Sequence, residues 1–320
     1  MKKKVEVFIN ETVWKKFTDS EMLKFQEAVF QHYREAGYPH YVLTEGEKHI
    51  AFKKLAKFDH ANLISSGVVR QSMHGLGLAW SYFPHAVNVR CKNMRTPLEV
   101  FNNDDLLRKA IGKRIKYGTY MSDSGMRKTL RSFTGTQAVS NFRPSAAAAI
   151  YHRYVPEGGT TWDMSSGWGG RLLGAMACSK VGRYIGNDPA TATFKGLCTL
   201  RNEITPLVSR PFQVDLHCEG SEVFRPRANS VDLCFTSPPY FGIEKYSTED
   251  TQSYLKFPTN EEWLAGFMYQ TVKNCLTSLT PGGILVLNVS KAMGVEKLRE
   301  SIETTESIEG NFLSRRDSRQ

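Results

Sequence analysis

The segment richest in chemistry is Thr236-Ser237-Pro238-Pro239-Tyr240-Phe241-Gly242, which follows directly on the apolar run Val231-Asp232-Leu233-Cys234-Phe235. Two consecutive prolines remove two backbone donors and fix φ, so the carbonyls before them stay free and rigidly aimed. An amino group on an aromatic base is a poor nucleophile, because its lone pair is delocalised into the ring. The Ser237 hydroxyl and a carbonyl of the 237–238 segment can accept its two N–H bonds and turn the lone pair toward a methyl donor. Orientation, rather than a strong general base, is then the main catalytic device. Tyr240 adds a flat face on which a base can stack. Ser237, Pro238, Pro239 and Tyr240 are therefore the candidate catalytic residues.

A second segment, Asp163-Met164-Ser165-Ser166-Gly167-Trp168-Gly169-Gly170, follows an apolar strand and opens a helix, as a nucleotide-binding turn requires. Glycine at 167 and 169 lets the backbone bend sharply and come close to a ligand. The alternative is a turn that binds nothing. Asp188 ends the next strand and can accept hydrogen bonds from both hydroxyls of a ribose, or simply cap the helix that follows. Asp215 ends the third strand, where a carboxylate could take the amino group of an adenine ring or be a plain loop acid.

These loops need a scaffold, and residues 141–290 supply its pattern. Pro144–Tyr154 reads as a helix with proline in its first turn. Strand Thr160–Asp163, helix Gly169–Ser179, strand Arg183–Asn187 and helix Ala190–Asn202 follow. Strands Phe212–Asp215 and Val231–Phe235, helix Glu261–Leu279, a turn at Pro281-Gly282-Gly283 and strand Ile284–Val289 complete the series. Such alternation predicts an α/β fold, a Rossmann-like sheet with helices on both faces and ligands at the carboxyl ends of the strands.

Ahead of it stands a mainly helical, basic N-terminal region. Strand-like pieces at Val5–Ile9 and Tyr41–Leu43 flank a helix over Ser20–Gly37 with a stripe of Met22, Leu23, Phe25, Ala28, Val29, Phe30 and Tyr33. A second helix, 104–117, turns Leu106, Leu107, Ile111 and Ile115 inward. The expected division is residues 1–130 for DNA contact or target recognition, and 131–320 for catalysis.

The chain has 320 residues and a formal net charge of +10, and the excess is confined to its first part. Residues 1–140 carry 23 Lys and Arg against 13 Asp and Glu, while 141–320 carry 19 of each. A phosphate backbone fits such a surface, with Lys109, Lys113, Arg114, Lys116, Arg127 and Lys128 as candidate nucleic-acid contacts. A solvated basic face without a ligand is the plainer reading. No run approaches eighteen apolar residues, and the polar start gives no apolar signal core, so a cytoplasmic protein is expected. Six scattered cysteines without a C-x-x-C pair argue against a zinc site and against a disulfide framework.

Taken together, Asp-Met-Ser-Ser-Gly-Trp-Gly-Gly, Asn-Asp-Pro and Thr-Ser-Pro-Pro-Tyr resemble the motifs of the amino-methylating DNA methyltransferases. Those enzymes make N4-methylcytosine or N6-methyladenine, several within restriction-modification systems. The resemblance covers about residues 130–290. It implies S-adenosylmethionine as cofactor, held by Asp163, Ser165, Gly167 and Gly169, with Asp188 on its ribose. Asp215, Phe142 and Arg143 are further candidate cofactor contacts, and Ser237 to Tyr240 would receive a base flipped out of DNA. Serine at the head of the tetrapeptide resembles the cytosine-N4 enzymes. The order of the two loops is opposite to that in many of them, which leaves the base open. A β-hairpin that usually follows the fifth strand has no evident counterpart. Rival readings are an RNA or protein-glutamine methyltransferase of the same fold, and a regulator that binds without turnover.

Overall fold

The computed structural model describes residues 9–289. Val5–Phe8, read as the start of a strand, and the tail beyond 289, where the sequence reading looked for a closing hairpin, lie outside these residues. Two compact units emerge: one from the described part of Met1–Val42 with Pro84–Ser140 and Ile243–Lys245, the other from Leu43–Phe83, Asn141–Gly242 and the described part of Tyr246–Gln320. The sequence reading draws a single boundary at 130/131; the chain instead interleaves, and residues 43–83 belong with the second unit.

The first unit is mainly helical. Helix α1 (Asp19–Ala36) starts at a capping box in which Thr18 and Glu21 satisfy each other's backbone amides. Helices α2 (Asp104–Tyr117) and α3 (Asp123–Arg131) pack with it around Phe30, Tyr33, Phe101, Leu107, Ile111, Met126 and Leu130. Two sequence expectations fail here. Leu23 and Ala28, both assigned to the apolar stripe, are exposed, Leu23 at 68%, because the apolar face of α1 is carried by Val29, Phe30 and Tyr33. Tyr41–Leu43 forms no strand and runs as irregular chain.

The second unit is built on five parallel strands: β1 (Gly159–Asp163), β2 (Val181–Asn187), β3 (Gln213–His217), β4 (Val231–Thr236) and β5 (Leu279–Leu287). Their order across the sheet is β5-β4-β1-β2-β3. Helix α4 (Pro144–Tyr154) precedes β1, α5 (Gly170–Ala177) joins β1 to β2, α6 (Thr191–Ile204) joins β2 to β3, and α7 (Gln270–Ser278) leads into β5. From β1 the chain winds one way to β2 and β3, and from β4 the other way to β5. Right-handed crossovers then place α5 and α6 on one face and α7 on the other. This is a doubly wound, Rossmann-like α/β sheet, as the alternation predicts. On the α7 side Trp162, Ile185 and Cys234 meet Cys275; on the opposite side Phe235 packs edge-on against Tyr151 of α4. The expected helix Glu261–Leu279 is divided into Asn260–Trp263, a π-helical turn at Leu264–Tyr269, and α7. Pro281 and Gly282, read as a turn, form an exposed irregularity within β5, between the paired residues Leu279 and Ile284.

Candidate functional site

Strands β1 and β4 are neighbours and parallel, with Thr161 opposite Leu233 and Trp162 opposite Cys234. Their loops, the glycine turn and the Ser-Pro-Pro-Tyr segment, therefore leave the sheet side by side at its carboxyl end. A side-chain bond ties them: the Thr236 hydroxyl donates to Asp163 Oδ1 at 2.9 Å.

Asp163 is the hub of this arrangement. Its carboxylate is 0% exposed and also accepts from the Arg171 guanidinium at 2.8 Å, the Tyr184 hydroxyl at 2.7 Å and the Ser165 amide at 3.3 Å. Arg171 in turn donates to the Ser165 carbonyl. Burial alone would lower the Arg171 pKa, but the adjacent Asp163 charge reverses the effect and raises it. Both members of this ion pair are buried and hydrogen-bonded, the condition under which such a pair is tolerated. Asp163 thus faces inward and holds the loop that follows it.

Within that loop Gly167 has φ +53° and Gly169 φ +67°, conformations that L side chains rarely adopt. The two glycines differ in what surrounds them. A Cβ at 169 would press on Leu200 at 2.7 Å, whereas one at 167 would meet only the Ser165 carbonyl, at 3.8 Å. Gly167 therefore presents bare backbone to open space. Gly170, not singled out from the sequence, is the tightest position, since a Cβ there would overlap the Phe142 carbonyl.

Asp188 sits at the end of β2, and one carboxylate oxygen accepts from the Gly167 amide at 2.9 Å while the other accepts from Ala190 at 3.0 Å. Asp188 thus braces the start of the next helical segment, as its capping reading expects, and stands beside the glycine turn. Burial pushes its carboxyl up to about 7, against the lowering effect of the Ala190 and Gly167 amides. Asp215 is placed differently from its sequence reading. Strand β3 continues to His217, and Asp215 lies two residues short of the loop, ion-paired to Arg183 at 2.6 Å and bonded to Gln213. Phe142 packs edge-on against Phe235 beside the glycine turn, and Asn141 anchors that turn by donating to the Trp168 carbonyl at 2.8 Å. Arg143 starts α4 and directs its guanidinium to Met73.

Ser237 is half-buried and engaged by a residue that sequence reasoning missed. Its hydroxyl donates to the Asn288 carbonyl at 3.3 Å and accepts from Asn288 Nδ2 at 2.8 Å. Asn288 directly follows β5, and its own amide donates to the Thr236 carbonyl at 2.9 Å. With its proton directed to Asn288, the Ser237 oxygen keeps one lone pair to offer as an acceptor. Pro238 is buried; Pro239 and Tyr240 are half-buried.

The six basic candidates of the first unit separate into two groups. Arg114 donates to the Tyr120 carbonyl at 2.8 Å, and Arg127 donates to Pro39 at 3.0 Å while its guanidinium lies 4.0 Å from the Tyr41 ring centroid. These two, like Arg131 on the Val139 carbonyl, brace the unit's own backbone. Lys109, Lys116 and Lys128 are exposed, and half-buried Lys113 reaches the Ser132 carbonyl at 3.3 Å. Among the described residues no group of three or more His, Cys, Asp or Glu could hold a metal ion, and no helix is long and apolar enough to cross a membrane.

No protein-family model and no curated protein matches the sequence. Among solved structures, the chain is similar to an S-adenosylmethionine-dependent O-methyltransferase from Thermotoga maritima. The identity there is 15% and the TM-score 0.37, over 52% of this chain and 51% of that one. It is also similar to a methyltransferase dependent on the same cofactor from Methanosarcina mazei, at 17% identity and TM-score 0.31, over 47% of this chain and 62% of that one. A third is the [4+2]-cyclase SpnF, at 14% identity and TM-score 0.34, over 51% and 58%. The chain spans less than two thirds of each. What defines the fold is the sheet order and register of the chain itself.

Proposed function

We propose that this protein transfers a methyl group from S-adenosylmethionine to the exocyclic amino group of cytosine (N4) or adenine (N6) in DNA. One observation carries the reading: the glycine turn and the Ser-Pro-Pro-Tyr loop emerge from adjacent parallel strands, joined by the Thr236–Asp163 bond. A ligand on the first loop and an amine on the second would then be neighbours. The residues fit the cofactor. Gly167 offers open backbone, and Asp188 stands beside it at the strand end where a ribose-binding carboxylate belongs. When bound, S-adenosylmethionine supplies a methyl group activated by its sulfonium charge.

The chain's own residues do the rest by positioning. Asp163, Arg171 and Thr236 hold the two loops at fixed separation. Ser237, its proton committed to Asn288, accepts one N–H of the substrate amine; a carbonyl of the 237–238 segment accepts the other. Tyr240 stacks on the extruded base. Extruding a base costs on the order of a few kcal/mol, and stacking on an aromatic returns roughly 1–3 kcal/mol, so the polar contacts must supply the remainder. The exposed lysines of the first unit supply cations for the phosphate backbone.

The test is incubation of the purified protein with labelled cofactor and DNA, then mass spectrometry of the digested nucleosides. N4-methylcytosine or N6-methyladenine is expected, with RNA and protein as parallel substrates. Ser237→Ala and Tyr240→Ala should abolish transfer while cofactor binding survives. Full turnover in both variants refutes the assignment.

A further inference from the structure

Between β3 and β4 the chain crosses the α7 face of the sheet without forming a helix. Residues 218–230 run as turns and extended chain instead, and they leave part of that face uncovered. Ile185 belongs to this face, because it packs with Trp162, Cys234 and Cys275. Arg183, two residues away on the same strand, and Asp215, opposite Ile185, share it. The result is a groove of about 730 Å³ along the β3 edge of the sheet, lined by Arg183, Asp215, His217, Phe224, Arg225 and Arg227, with Arg201 of α6 reaching it from the other face. None of the glycine-turn or Ser-Pro-Pro-Tyr residues lines it.

Its lining is chemically specific. An aromatic pair belongs to it, His217 and Phe224, stacked at 3.9 Å between centroids. Four arginines line it against one carboxylate, and that carboxylate, Asp215, is already occupied by Arg183 and Gln213. Arg225 and Arg227 are exposed and form no ion pair among the described residues. Spaced two apart, they flank a proline on a segment that is firmly held. The Ser278 hydroxyl donates to the Pro226 carbonyl at 3.2 Å, the Ser230 hydroxyl to the Arg227 carbonyl at 2.6 Å, and the Ser230 amide to the Ser278 carbonyl at 2.9 Å. The guanidinium groups therefore extend from an ordered backbone, which lowers the entropic cost of using them. Planar forked donors beside a stacking surface match a phosphate attached to a nucleoside.

We propose that this groove is a second nucleotide-phosphate site, with Arg225 and Arg227 as phosphate ligands and the His217–Phe224 pair as the surface beside which the attached base or sugar rests. The phosphate comes either from a nucleic-acid backbone or from a free nucleotide. The site does not depend on methyl transfer, so its failure leaves the proposed reaction untouched, and the reverse also holds.

The test uses the full chain and the double variant Arg225→Gln/Arg227→Gln, whose exposed side chains can change without disturbing the core. A fluorescent DNA oligonucleotide is titrated at several salt concentrations, and AMP and inorganic phosphate are titrated by calorimetry. Melting temperature and S-adenosylmethionine binding serve as controls and should not move. If the backbone is the source, the variant loses oligonucleotide affinity by about tenfold at low salt and its logarithmic salt slope falls by about 1.5–2. If a free nucleotide is the source, AMP binds the native chain and not the variant. The proposal is overturned if the variant binds the oligonucleotide and AMP as the native chain does, or if the native chain binds neither.

Discussion

Asp163 shows how a residue can hold two loops together while facing inward. Its carboxylate, fully buried, joins β1, β2, β4 and α5 through Thr236, Tyr184 and Arg171. Asp163→Asn leaves the Arg171 charge buried without its counter-ion, a defect worth about 3–5 kcal/mol. Chemical denaturation should record that loss, and adding Arg171→Met should recover part of it. Asp188 makes a different prediction. Its folded-state pKa, about 7, lies above the ordinary carboxyl value of 3.8. Protonation therefore favours the folded protein: the contribution is complete below about pH 4 and is lost as pH rises through 7. The melting temperature should consequently fall more steeply between pH 5.5 and 8 in the native chain than in Asp188→Asn. Parallel curves would show that the Gly167 and Ala190 amides compensate the burial.

At the scale of elements, the glycine turn divides into an open position, Gly167, and packed ones, Gly169 and Gly170. Gly167→Ala makes only an ordinary contact with the Ser165 carbonyl but must hold φ +53°, a strain of about 1–2 kcal/mol. Cooperative unfolding should persist in this variant while affinity for S-adenosylmethionine drops. Gly170→Ala should instead cost stability outright, because the new methyl overlaps backbone at Phe142. If Gly167→Ala binds cofactor normally, the open space beside it is not the ligand's. The five strands and the two loops were readable in the sequence, because apolar runs punctuated by Gly and Pro carry the period of a parallel sheet. Asn288 was not: a lone asparagine after Ile284–Leu287 has no signature until β5 is known to pair with β4. Arg171 was hidden for a similar reason, lying in an apolar helix where nothing local announces a buried partner eight residues upstream. Asp215 was misplaced because a strand end cannot be fixed to within two residues from pattern alone.

For the molecule as a whole, net charge identified a basic half but not which cations are available. Arginines at 114, 127 and 131 turned out to bind their own backbone, a use that composition cannot distinguish from a ligand-facing one. Lys109→Gln, Lys116→Gln and Lys128→Gln combined should lower the salt slope of DNA binding by about 2–3 without altering stability. Arg114→Gln or Arg127→Gln should do the reverse, destabilising the first unit by about 1–3 kcal/mol. Anisotropy titrations paired with thermal melts separate the two classes. The interleaving of residues 43–83 with the sheet also escaped the sequence, since long-range packing of helices leaves no boundary mark.

Placing Asn288 directly after an edge strand makes the proposed reactivity more fragile than the architecture. Peeling β5 away would leave four strands still hydrogen-bonded, yet Ser237 would swing free and its oxygen would lose its aim. Under mild urea, the proposed methyl transfer should therefore vanish ahead of the far-ultraviolet dichroism signal, a gap that a single cooperative transition would close.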